Sequence, residues 1–106
     1  MNAWPILFTA LLSLPLSLNT LASDTVQLEK SCASGLNEYV SGNYLQAFSI
    51  LKKQADSGLD CAQHWVARMY QTGYGAPMNR EKSLVYYQLA ARQGFPQAIF
   101  QLEILK

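Results

Sequence analysis

A chain of 106 residues is too short for more than one domain. Its eight basic and seven acidic side chains leave a formal net charge of +1, which removes the main electrostatic drive toward nucleic acid or an anionic membrane surface. One histidine and two widely spaced cysteines cannot supply the ligands of a structural zinc site, and no cofactor is implied.

Residues 1–22 read as a cleaved secretory signal. No Asp, Glu, Lys or Arg precedes Asp24, and residues 6–18 are apolar apart from Thr, Ser and Pro15. That run falls short of the roughly 20 residues needed to span a bilayer. The small residues Thr20 and Ala22 suit signal-peptidase cleavage before Ser23. Residues 23–106 then form the mature domain, periplasmic or secreted, with no stable membrane anchor after cleavage. Export places Cys32 and Cys61 in an oxidising compartment, where an even count points to one disulfide; the alternative is two buried thiols.

Beyond the signal, Thr25 is positioned to cap a helix carrying Val26, Leu28, Cys32, Leu36, Tyr39 and Val40 at helical spacing, and Gly42 ends it. A second helix sets Leu45, Phe48, Leu51 and Ala55 on one face and stops at Gly58. The third starts at Asp60, buries Ala62, Val66, Met69 and Tyr70, and closes at Gly73. Gly73 and Gly75 allow a left-handed turn between antiparallel helices, with Pro77 and Asn79 setting the next N-terminus. A phosphate-cradling glycine loop would follow a strand, and no stretch alternates with a period of two. The fourth helix carries Leu84, Tyr87 and Ala91 and stops at Gly94; Pro96 opens a last short one. The domain is all-α.

Shifting the chain by 36 residues superposes Ala47 on Ser83, Leu51 on Tyr87, Ala55 on Ala91, Gly58 on Gly94 and Ala62 on Ala98. This is the period of a helix hairpin that buries its inner face by stacking on the next. The unit from Ala62 to Ala98, with Tyr70, Gly73, Gly75, Tyr87, Ala90, Ala91 and Gly94 in register, resembles the Sel-one-like repeat, a relative of the tetratricopeptide repeat. A degenerate unit precedes it, with Tyr39, Gly42, Ala47, Ala55 and Gly58 and a shorter hairpin loop. The resemblance implies a short right-handed α-solenoid of two helix hairpins plus a C-terminal capping helix. It also implies adaptor, regulatory or immunity-type work with another envelope or secreted protein.

Such a fold carries no chemistry of its own, so the site is argued from residues. His64, Arg68 and Gln71 share one polar helical face, which the resemblance places in a concave groove. There Arg68 would pair with a carboxylate, such as a peptide C-terminus, on a protein or peptide partner. Trp65 and Tyr74 are candidate exposed hot spots. The bland reading of the same face is solvated polar surface. Catalysis by His64 has no paired nucleophile. Ser49 and Lys52 match the S-x-x-K of serine acylases, and cysteine-rich relatives of the family bind β-lactams, which makes that an enzymatic alternative; the accompanying S-D-N and K-T-G elements are missing. A third reading is a structural subunit, a monomer or weak oligomer joined through Phe100 and Ile104 of the last helix.

Overall fold

Five helices follow one another along residues 31–106, the part of the chain that the computed structural model describes. They are α1 (Ala33–Val40), α2 (Tyr44–Asp56), α3 (Asp60–Thr72), α4 (Arg80–Arg92) and α5 (Pro96–Leu105). No strand occurs among the described residues, and no helix there is long and apolar enough to cross a membrane. The signal segment, Thr25, Val26 and Leu28 lie outside the described residues.

Local chemistry sets the helix ends. The Asn79 side chain accepts from Lys82 N–H at 3.0 Å and caps α4, which satisfies one of the orphan donors of its first turn. Pro96 opens α5, where its missing N–H costs nothing. Gly73 closes α3 in the left-handed conformation (φ 79°, ψ 16°) and donates to Met69 C=O at 2.8 Å. Gly75 also has positive φ, 78°, and a Cβ there would collide with the Tyr44 carbonyl oxygen. Both loop glycines therefore serve the hairpin turn.

Two of the turns are near copies. Ser57 and Gln93 both have φ −85° and ψ 0°. Gly58 donates to Ala55 C=O at 3.0 Å as Gly94 does to Ala91 C=O at 2.9 Å. Leu59 and Phe95, both extended, donate back to Gln54 and Ala90 respectively.

Substantial packing runs between consecutive helices: α1 on α2, α2 on α3, α3 on α4, α4 on α5. One core joins Ala47, Leu51 and Ala55 of α2 to Ala62, Val66, Met69 and Tyr70 of α3. A second joins Ala67, Tyr87, Ala90 and Ala98 of α3, α4 and α5. Alanines at the contacts let the helices approach closely around two larger fillers, Leu51 and Tyr87, both fully buried. A Cβ at Gly35 of α1 would lie 2.5 Å from Leu51 Cγ, so Leu51 occupies the space that any larger residue there would need.

Two expected core positions are on the surface. Leu45 is 79% exposed because successive three-residue steps drift by about 60° each, which leaves it roughly 120° from Leu51. Val40, 85% exposed, is the last residue of α1, where the chain turns away through Gly42. Cys32 and Cys61 are joined in a disulfide with Cα atoms 6.2 Å apart, within the range such a bond requires. It ties the residue before α1 to the start of α3, two helices that are not consecutive.

Candidate functional site

The apolar stripe of α3 (Ala62, Val66, Met69) fixes its rotation, so His64, Arg68 and Gln71 turn toward α5 and the α4 side. They are not equally accessible. His64 is only 5% exposed, enclosed by the rings of Trp65, Tyr87 and Phe95 at 5.7, 5.6 and 5.2 Å. Its Nδ1 is buried without a hydrogen-bond partner among the described residues. Burial, and secondarily the neighbouring Arg68 charge, push its pKa down to about 4, so the ring is neutral at ordinary pH. The shared face is not uniformly exposed: four residues separate His64 from Arg68, yet α4 and Phe95 cover the first and leave the second in solvent.

Arg68 is exposed, and its guanidinium lies over the Trp65 ring, 5.4 Å from the centroid. It forms no hydrogen bond or ion pair with any described residue. Its donor fork is therefore held by stacking and left open. Gln71 is half-buried and accepts from Tyr87 O–H at 2.7 Å, which orients its amide. Burial raises the Tyr87 pKa while Arg68 opposes the shift.

Two adjoining recesses between α3 and α5 share Arg68 and Gln101. One, of about 390 Å³, is lined by His64, Arg68, Pro96, Gln97, Phe100 and Gln101. The other, of about 410 Å³, is lined by Arg68, Gln71, Thr72, Tyr87 and Gln101. Among the described residues neither is lined by an Asp or Glu, so Arg68 is the charge they share. A broader hollow of about 630 Å³ lies over the α1–α2 turn. Its carboxylate, Glu38, accepts from Asn43 Nδ2 at 2.9 Å, and no cluster of chemical groups converges there.

The other two candidates sit apart from this groove. Trp65 is half-buried and packs on Tyr39, with centroids 5.1 Å apart. Tyr74, 46% exposed, stacks on Tyr44 at 4.8 Å and an interplanar angle of 23°. These rings form a partly covered aromatic cluster that supports Arg68 from the N-terminal side. Sequence reasoning missed the α5 contribution of Pro96, Gln97 and Gln101. The signal was present, because the 36-residue shift carries His64 onto Phe100 and Trp65 onto Gln101.

Ser49 is exposed on α2, and Lys52 donates to Asp56 Oδ2 at 2.6 Å while Tyr86 O–H donates to Asp56 Oδ1 at 2.8 Å. Asp56, foremost, raises the Lys52 pKa, and Lys52 in turn lowers that of Asp56. An ammonium held in this way is a poor base for a neighbouring hydroxyl. No group of three or more His, Cys, Asp or Glu placed to hold a metal ion occurs among the described residues. No protein family, curated protein or solved structure matches this chain significantly.

Proposed function

We propose that this chain is an exported, non-enzymatic protein-binding module whose groove between α3 and α5 holds another protein, as an adaptor, regulator or immunity-type partner. The observation that carries the reading is the Arg68 guanidinium, pinned on Trp65 with its donors unpaired, at a groove free of carboxylates. Preformed donors beside exposed apolar surface suit recognition better than an idle solvated face. A short right-handed α-solenoid of Sel-one-like type is the architecture we assign. Its support is the sequential helix packing, the 36-residue sequence shift and the copied turns at Gly58 and Gly94. The disulfide suits a protein exported to the periplasm or beyond.

A pull-down from envelope extract tests the reading, with wild type run beside an Arg68→Glu, Phe100→Ser variant whose helicity is checked by circular dichroism. Both side chains are exposed, so the variant should fold. A partner kept by wild type and lost by the variant is expected; equal recovery would sink the groove. The apolar face of α5, with Ile99, Phe100 and Ile104 exposed, favours self-assembly as a second reading. Light scattering that finds a monomer at high concentration would remove it. The held Lys52 ammonium gives no support to acylation at Ser49.

A further inference from the structure

We infer that the cavity beside the first turn of α4 binds a small neutral organic molecule, a ring or short chain of about six carbons with a carbonyl or hydroxyl oxygen, which meets Ser83 and Gln71. This site is separate from the α3–α5 groove and does not depend on the protein-binding reading.

The cavity, of about 210 Å³, is lined by Gln71, Met78, Arg80, Ser83, Leu84 and Leu105. An apolar cavity of about 150 Å³ takes up benzene, so this one holds a body of that size with room for a polar atom. Met78, Leu84 and Leu105 supply the apolar wall. Ser83 is 2% exposed, and its Oγ has no hydrogen-bond partner among the described residues. A hydroxyl buried in this way is costly, and a ligand oxygen would satisfy it. Gln71 adds donors to the same wall. Its Oε1 accepts from Tyr87 O–H at 2.7 Å, which leaves its amide N–H groups to donate to that oxygen.

The neighbouring hairpin shows that packing does not call for the hydroxyl. The 36-residue shift sets Ala47, Phe48 and Met69 at the places of Ser83, Leu84 and Leu105. Ala47 and Met69 are fully buried, and the Phe48 ring packs edge-on against Tyr70 at 5.4 Å. One copy therefore fills these places with apolar side chains, whereas the other holds a smaller Leu84 and an unsatisfied hydroxyl. An ionised head group suits the cavity poorly, because Ser83 would replace the hydration of a carboxylate with a single hydroxyl bond. Arg80, the ionised group on this wall, is exposed and reaches Leu105 C=O at 3.5 Å, so its charge stays with solvent.

A titration of the purified protein followed by methyl and amide NMR tests the site, with cyclohexanone as the probe and cyclohexanecarboxylate as its charged counterpart. Saturable shifts at Met78, Leu84 and Leu105 are expected at millimolar cyclohexanone, the affinity that about seven heavy atoms allow. The carboxylate should bind at least about tenfold more weakly. Ser83→Ala should weaken cyclohexanone about fivefold, while its urea midpoint stays the same or rises. Leu84→Phe, which copies the first hairpin, should fill the cavity and abolish binding. Equal binding of the ketone by Ser83→Ala overturns the hydroxyl contact, and a carboxylate that binds as tightly as the ketone overturns the neutral class. No saturable shift at tens of millimolar, or shifts unchanged in Leu84→Phe, overturns the site itself and leaves the groove reading untouched.

Discussion

At position 64 an imidazole occupies a box of rings that an aromatic hydrocarbon would also fill, and its buried Nδ1 has no partner among the described residues. An unsatisfied buried polar atom costs about 1–3 kcal/mol. His64→Phe should therefore stabilise the fold by about 1 kcal/mol in urea unfolding; a loss of stability would mean that the nitrogen has a use in the folded protein. The same residue makes a pH prediction. Its pKa is about 4 when folded and near 6.5 when exposed, so between these values the unfolded chain binds the proton more tightly. The stability tied to neutral His64 is complete above pH 6.5 and is lost as the pH falls toward 4. Wild type should lose about 1–2 kcal/mol more than His64→Phe over that window, with solvent screening allowed for. Parallel pH profiles would contradict this. Gly75 offers a steric test. Gly75→Ala meets both the positive φ and the Tyr44 carbonyl, and should cost about 2 kcal/mol by thermal unfolding.

Among the elements, α4 depends most on its cap. Asn79 holds the Lys82 N–H, and Asn79→Ala should destabilise by about 1 kcal/mol, whereas Asn79→Asp should be nearly neutral. If the two substitutions lowered the urea midpoint equally, the side-chain oxygen would not be what the helix needs. The copied turns at Gly58 and Gly94 place Leu59 and Phe95 at equivalent points ahead of α3 and α5. That equivalence sets Phe100 at the height of His64 on the neighbouring helix, and the groove is the space between these two faces.

For the molecule as a whole, sequential packing makes the Cys32–Cys61 bond unusual, since it links helices that are not consecutive. The sequence separation of 29 residues corresponds to about 3–4 kcal/mol of chain entropy in the loop-closure model. A Cys32→Ser, Cys61→Ser double variant should lose stability of that order. Hydrogen exchange should locate the loss in α1, whose hold on α3 is the disulfide and the Tyr39–Trp65 ring contact, and spare α4 and α5. Uniform loss of protection would show instead that the helices unfold as a single cooperative unit.

Much of this protein follows from local rules written in the chain. Helix ends at Gly42, Gly58, Gly73 and Gly94 were legible because a left-handed residue stops a helix wherever it occurs. The buried face of α3 was legible because Ala62, Val66, Met69 and Tyr70 keep helical phase. Only the tertiary structure decided which polar residues of that helix remain available. Spacing puts His64 and Arg68 on one face, but Tyr87 of α4 and Phe95, the residue ahead of α5, close over the imidazole. Tertiary packing also brought Gln101 beside Arg68. Periodicity assigns each residue an angle about its own helix axis. Burial and the shape of a groove depend on which neighbouring helices occupy that direction, and a single helix's sequence does not contain them.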